Sequence, residues 1–451
     1  YIGEKIMKKI INSLKTINYK MFFALFIFGL IPTLYTTFRI YLIGQLPNTY
    51  GFSIAGQLQW VSLLYEILQE ALILPLFYFI GAVISEKEAL INRIRSGLIF
   101  TFIVYTVLSA LIFIFARPLV IFMAQDNSII DETVNYIRLE TIAMIFGTLM
   151  KYLMVVLVTI KKDKNIYIVL IAQLILTILL DTFFVSTLKV SLNLGINGIP
   201  ITNIIVNFLM VIFLVIILYK NELPIFNSFK SDYSWFKDLF KKGGISGLES
   251  FVRNIAFMLM IVRMVNVVGE QGTFWVANNF IWGWLLLPVL QLGELIKSDS
   301  GEDGMKAVQK KSFGYFNLTI IFVFIWAITL PLWKPFMQHV LQIPNYKDVH
   351  FIVLISVGFY VLFALNNVID SIFYGLGKTN LMLFQSLVIN TIFYGLMFIL
   401  FQTGVFQPNL TLIALMFATG TALDSILTMI LYAIMLKRER INILNFEEAI
   451  A

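Results

Sequence analysis

The stretch GLIFTFIVYTVLSALIFIFA, residues Gly97 to Ala116, decides the fold. It carries no charged side chain. As a helix rising about 1.5 Å per residue it is long enough to cross a hydrocarbon slab of about 30 Å. It lacks the period-two alternation of a barrel strand. Working outward from it, roughly a dozen runs of the same kind appear. The first set is Met21 to Gly44, Ser53 to Ile84, Gly97 to Ala116, Arg138 to Ile160, Asn165 to Leu188 and Gly195 to Leu218. The second set is Gly244 to Val268, Thr273 to Leu295, Phe313 to Trp333, Phe351 to Gly375, Leu381 to Phe401 and Leu410 to Leu436. The expected fold class is an all-α integral membrane protein with two pseudo-symmetric six-helix lobes.

Composition agrees with that reading. Of 451 residues, 59% are hydrophobic and 13% charged, with 42 Phe, so lipid is the expected solvent. There is no Cys, which removes disulfides, thiolate metal sites and cysteine nucleophiles. His339 and His350 are the only imidazoles and flank one short polar loop, which argues against a zinc site or an enzyme. No metal is expected apart from a coupling ion, and no cofactor.

Loop charge sets the expected orientation. With both termini cytoplasmic, basic residues fall inside at Lys5 to Lys20, Lys87 to Arg95, Lys161 to Lys164, Lys220 to Lys242, Lys297 to Lys311, Lys378 and Lys437 to Arg440. That is about 24 of the 33 Lys and Arg, against about 4 outside at Arg117, Lys189, Lys334 and Lys347. Such loops meeting an anionic leaflet account for the net charge of +7 without nucleic acid. No cleavable signal peptide is evident. The expected divisions are an interfacial amino-terminal segment (1–20), a six-helix lobe (21–219), a cytoplasmic linker with a surface helix (220–242), a second lobe (243–436) and a cytoplasmic tail (437–451). In the first of these Ile6, Ile10, Ile11 and Leu14 share a face; in the linker Trp235, Phe236, Leu239 and Phe240 recur at helical spacing.

The two sets of spans superpose at an offset of about 214 to 225 residues. Arg39 before Gly44 matches Arg263 before Gly269, Arg117-Pro118 matches Lys334-Pro335, and Lys164-Asn165 with Gln173 matches Lys378-Thr379-Asn380 with Gln385. Six helices per half make the repeat parallel, an arrangement used by secondary transporters.

Roughly thirteen ionisable residues fall within the spans, and each would cost about 2.5 to 3.5 kcal/mol facing lipid at mid-bilayer. The acids are Glu66, Glu70, Glu140, Asp181, Glu249, Glu294, Asp370 and Asp424; the bases are Arg39, Arg138, Lys151, Arg253 and Arg263. Glu249 and Asp370 each lie about 8 Å from the cytoplasmic end of their helices, in one layer suited to a shared cation. Arg39 and Asp181 both lie roughly 25 Å up, where they can pair. Glu66 and Glu70 share a helix face that Lys151 can also reach. Each charge has two readings: a packing ion pair, of which Glu249 with Arg253 is one, or a proton or cation site that gates a conformational change. The functional reading is preferred for Glu249 and Asp370, the ion pair for Arg39 and Asp181. Asp424 is a further coupling or ion-pair candidate; Glu66, Glu70, Lys151, Arg253, Arg263 and Glu294 are candidates for lining a substrate cavity. The fragment Gly375-Leu376-Gly377-Lys378-Thr379 is not a phosphate loop, because Ile372 stands where its first glycine belongs.

Gly195-Ile196-Asn197-Gly198-Ile199-Pro200, Leu180-Asp181-Thr182-Phe183-Phe184, and Asp370 in Ile369 to Thr379 resemble the multidrug and toxic compound extrusion (MATE) family. That family belongs to the multidrug/oligosaccharidyl-lipid/polysaccharide flippase superfamily. The resemblance implies a V-shaped pair of bundles exporting amphipathic compounds in exchange for sodium ions or protons. It implies a carboxy-lobe cation site at Glu249 and Asp370 and an amino-lobe acid at Asp181. Where the family has an amino-lobe acid on the first helix this sequence has Arg39, which leaves the substrate's charge open.

The expectation is a cation-coupled exporter of amphipathic small molecules, a monomer in contact with the lipids of the cell membrane. A lipid or lipid-linked oligosaccharide flippase is the nearest alternative, and an uncoupled permease or channel a distant one.

Overall fold

The computed structural model describes residues 2–48, 50–73, 75–160, 163–226 and 232–449. Lys161, Lys162 and Lys230, counted above among the cytoplasmic basic residues, lie outside them. Every regular element among the described residues is helical. Among the described residues ten helices are long and apolar enough to cross a membrane, and a pair bent by 55°, Gln271–Leu285 with Leu287–Asp303, makes an eleventh if it is one span. Pro288, at the start of the second member, cannot continue the preceding ladder and accounts for the bend. The run expected at Ser53 to Ile84 is built in pieces: α3 (Gly51–Gly56), α4 (Leu58–Leu68) with a π-helical turn (Gln69–Ile73), and α5 (Leu76–Gly81). Each piece is too short to span alone.

The internal repeat is visible in the helices themselves. Helix α6, Lys87–Phe122, and the helix Met305–Val340, whose last turn is π-helical, both contain 36 residues and begin 218 apart. Each is followed by a residue of positive φ, Ala124 at 59° and Gln342 at 50°; the last span of each half ends likewise, at Glu222 (60°) and Arg440 (57°). All four are left-handed helix caps. The amide beyond each cap returns to the last turn: Gln125 to Val120 (3.3 Å), Ile343 to Met337 (3.2 Å), Leu223 to Leu218 (3.0 Å) and Ile441 to Leu436 (2.9 Å). Phe102, Ile103, Val107 and Ile114 are exposed, and so are Ile320, Ile321, Ile325 and Leu332, the residues 218 further on. Bands of exposed large apolar side chains at this density belong in lipid. The chain is thus an all-helical, multi-pass membrane protein.

Contacts divide the chain into two compact units, one of residues 34–275 and one of residues 1–33 with 276–451. The first contains α6, α7 (Ile130–Thr159), α8 (Asp163–Phe184) and α9 (Gly198–Lys220), with α10 (Phe236–Phe257), its π-helical turn (Met258–Val262) and α11 (Arg263–Val267). The last three belong to the second repeat by sequence. They join this unit because small residues let α10 approach closely: a side-chain carbon on Gly247 would stand 2.7 Å from the Cβ of Ala71, and one on Gly243 would strike the Ala71 carbonyl. Further along, Asn254 Nδ2 donates to the Leu63 carbonyl at 3.3 Å. Nearest the other end, Gln57 and Asn266 exchange amide hydrogen bonds of 2.6 and 3.1 Å. The aromatic stretch expected as a separate surface helix is instead the entry to α10. Trp235 and Leu239 are buried, Trp235 Nε1 donates to Ser96 Oγ at 3.2 Å, and Phe236 packs on Phe100 at 4.6 Å, because this apolar face finds α6 to cover it.

The other unit comprises the first half of α2 (Tyr19–Gly44), the end of α12 (Gln271–Phe280), α13 (Leu287–Asp303), α14 (Met305–Pro335), α15 (Tyr346–Gly375), α16 (Thr379–Val388), α17 (Gly395–Gln402) and α18 (Leu410–Arg438). The amino-terminal helix α1 (Ile2–Leu14) docks on α14, where Asn317 Nδ2 donates to Ser13 Oγ at 2.9 Å, and leaves Ile6, Met7 and Ile11 exposed. Part of the expected tail is also docked: Phe446 is fully buried and stacks on Phe313 at 5.9 Å. Gly377, in the fragment resembling a phosphate loop, takes φ of 68° as the helix cap after α15.

Candidate functional site

Two polar networks occupy the unit of residues 34–275. The first is closed. Arg39 on α2 places Nε 2.7 Å from Asp181 Oδ2 and Nη2 3.4 Å from Oδ1, the paired geometry a guanidinium and a carboxylate favour. The same Nη2 donates to Asn203 Oδ1 at 2.7 Å, and Asn203 Nδ2 donates to Glu140 Oε1 at 2.8 Å. Tyr136, one helical turn before Glu140, donates its hydroxyl to the same carboxyl. Asp181, Glu140 and Tyr136 are buried, and Tyr35 lies under the guanidinium at 5.6 Å. Four helices supply this set: α2, α7, α8 and α9.

The second network is partly open. Arg253 on α10 lies 3.1 Å from Glu249, 3.2 Å from Glu70 and 3.4 Å from Glu66. The Arg253 side chain is 43% exposed, Glu66 37%, Glu70 21% and Glu249 5%. Glu66 and Glu70 share a face that meets Arg253, with Lys151 beside Glu66. Lys151, exposed on α7, donates to Gln69 Oε1 at 3.1 Å. Glu249 therefore enters an ion pair with the base four residues on, the packing arrangement rather than an isolated carboxylate.

The remaining candidates have local partners. Arg263 donates to the Phe122 carbonyl at 2.8 Å and covers the Phe122 ring at 5.4 Å. In the other unit, Asp370 Oδ2 accepts from Asn366 Nδ2 at 2.9 Å, Asp424 Oδ2 accepts from Gln385 Nε2 at 2.9 Å, and Glu294 pairs with Lys297 at 2.7 Å. Glu249 and Asp370 belong to different compact units. Among the described residues no group of three or more His, Cys, Asp or Glu is arranged to hold a metal ion.

Charge at depth does not reveal three of these polar contacts. Asn203 is a neutral relay, detectable only as one of two asparagines, with Asn207, four apart in an apolar helix. Glu140 stands among the acids within the spans, but nothing in the sequence pairs it with Asn203. Asp299, within the stretch Lys297 to Lys311 expected on the cytoplasmic side, is buried, pairs with Lys311 at 3.0 Å and accepts from Tyr315, locking the hairpin of α13 and α14.

Fold and site together define an all-helical membrane protein whose buried charges are organised between helices. No protein-family model matches the sequence, and no curated protein is similar to it in sequence. Solved structures are similar throughout. A multidrug resistance MATE family transporter of the MOP superfamily, in an inward-facing conformation, is 16% identical with a TM-score of 0.73, covering 93% of this chain and 96% of that one. A MOP superfamily transporter from Pyrococcus furiosus, described as having a binding pocket of reverse polarity that suggests a different function, is 15% identical with a TM-score of 0.67, covering 94% and 97%. A Vibrio cholerae MATE transporter is 15% identical with a TM-score of 0.66, covering 97% and 99%. The chain has the fold of these transporters.

Proposed function

We propose that the protein is a secondary transporter that exports amphipathic small molecules in exchange for a sodium ion or proton, by alternating access. The observation carrying this reading is the set Glu66, Glu70 and Arg253, each partly exposed, with the buried Glu249 beside them. Charges at that depth and exposure require water beside them, since each would be costly against lipid. The three carboxylates outnumber the two bases beside them, Arg253 and Lys151. Arg39, which in the sequence leaves the substrate's charge open, is 13% exposed and engaged by Asp181. A substrate bearing a positive charge suits this wall. The likeness in fold to MATE transporters supports the same class.

Asp370 and Glu249 are the proposed coupling residues; for Glu249 the exchange requires that its pair with Arg253 open. In this reading the protein works as a monomer in the cell membrane with both termini cytoplasmic, the side favoured by the basic loops. The test uses the full chain in proteoliposomes with ethidium as probe, under imposed sodium or proton gradients. Ethidium movement should follow one gradient, stop when an ionophore collapses it, and fall to that background in Asp370→Asn and Glu249→Gln. Movement indifferent to both gradients, or unchanged in both variants, overturns the coupling. Scrambling of a fluorescent short-chain phospholipid without ethidium movement would replace the exporter with the flippase.

A further inference from the structure

Helix α14 changes character at one point. Lys306, Lys310 and Lys311 lie in its first two turns, and the residues that follow, 312–333, carry no charged side chain. That run rises about 33 Å, close to the thickness of a hydrocarbon layer, so the junction after Lys311 marks the level of the lipid headgroups. Helix α1 docks at this junction. Ser13 Oγ accepts from Asn317 at 2.9 Å, and a side-chain carbon on Gly314 would strike the Ser13 carbonyl. Further inward, Phe22 at the start of α2 stacks on Phe322 at 5.8 Å, where the chain has left α1 for the apolar span. On α14, Lys306 and Lys310 continue the ridge of Phe313 and Asn317 at spacings of four and three, so they stand on the face that receives Ser13 and, through the stack of Phe313 with Phe446, the segment after α18.

At this level α1 has three sides. One, through Ser13, rests on α14. A second carries Ile6, Met7 and Ile11, large apolar side chains that remain 47–60% exposed. On a third, Lys8 and Lys15, seven residues and so two turns apart, are exposed. From Ile2 to Lys20 the chain has five Lys against one acid, Glu4. An apolar stripe beside a basic one, held at headgroup depth, is the pattern of a helix lying in the interface of an anionic leaflet. We propose that α1, with the basic ridge of α14 on the face that receives it, binds anionic phospholipid: Ile6, Met7 and Ile11 enter the upper acyl layer, while Lys8, Lys15, Lys306 and Lys310 meet the phosphate groups. A soluble anion does not fit, because it offers nothing to the apolar stripe. The lysines favour anionic over zwitterionic headgroups by about fivefold each. The site lies wholly in the unit of residues 1–33 with 276–451 and does not depend on the transporter reading.

The test uses the full chain, which has no Cys, so that Met7→Cys places a single nitroxide label on the apolar stripe. In nanodiscs containing phosphatidylglycerol the label should collide more with dissolved oxygen than with a water-soluble nickel chelate, the signature of immersion in acyl chains. Native mass spectrometry of the unlabelled protein should show phosphatidylglycerol retained in preference to phosphatidylcholine of the same acyl chains. That preference should fall roughly 25-fold in Lys8→Gln with Lys15→Gln, and likewise in Lys306→Gln with Lys310→Gln. The α1 pair is exposed, so that variant keeps the fold and decides alone should the other not express. A label open to the nickel chelate, or a preference unchanged in either variant, overturns the proposal. Spin–spin broadening between labels of two copies, independent of the lipid supplied, overturns it as well and assigns the stripe to a second copy of this chain.

Discussion

Replacing Asp181 by Ala tests the closed network most directly. The substitution removes two of the three hydrogen bonds that hold the Arg39 guanidinium, those of 2.7 and 3.4 Å, and leaves the one to Asn203. At an effective dielectric near 20, two unit charges about 4 Å apart attract by about 4 kcal/mol. Orphaning one partner of a buried pair costs about 3–5 kcal/mol. The lower end applies here, because Glu140 stands one amide away and supplies negative charge across Asn203. Removing both partners, as Arg39→Met with Asp181→Ala, leaves neither charge of the pair unpaired and should recover part of the loss, the remainder being the donor lost to Asn203 Oδ1. The assay is a double-mutant cycle on the purified full chain in detergent, scored by thermal unfolding. A coupling of at least about 2 kcal/mol is expected, since residues sharing one network couple by about 0.5–3 kcal/mol. Single variants indistinguishable from wild type, or losses that simply add, would refute the idea that these two charges stabilise each other.

Gly243→Ala should lower stability by about 1–3 kcal/mol through collision with the Ala71 carbonyl, whereas Gly395→Ala, where nothing lies within 4 Å, should be neutral or stabilising; equal unfolding temperatures for the two would undo the packing argument. Asp126, in the loop after α6, accepts from the Ser128 amide and hydroxyl, which hold its carboxyl below the ordinary value. Because the folded value is the lower one, its stabilising contribution is present above the ordinary carboxylate range and is lost as pH falls through the folded value. The stability difference between wild type and Asp126→Ala should shrink on acidification, and a difference constant with pH would contradict this.

The spans were legible in the sequence because crossing a membrane is a local requirement: about 20 contiguous residues must each be cheap to transfer into lipid. The repeat was legible too, and the structure narrows its offset through Lys87–Phe122 and Met305–Val340, 218 apart. Arg39 with Asp181, and Glu249 with Arg253, followed from depth and from helical spacing. The partners of Arg253 on α4 and the relay through Asn203 did not follow. In lipid both the inward and the outward faces of a helix are apolar, so hydropathy says little about how each helix is rotated about its axis.

Taken by itself, the amino-acid sequence determined the all-helical membrane class, the basic loops, the twofold repeat and the list of buried charges, all properties that add residue by residue along the chain. Tertiary structure alone decided which charges meet. Gly243 and Gly247 bring α10 against Ala71, so that Arg253 reaches Glu66 and Glu70; Asn203 connects Arg39 to Glu140. Those pairings depend on how closely helices distant in sequence approach, and close approach is set by small side chains and amide hydrogen bonds that a hydropathy pattern does not record.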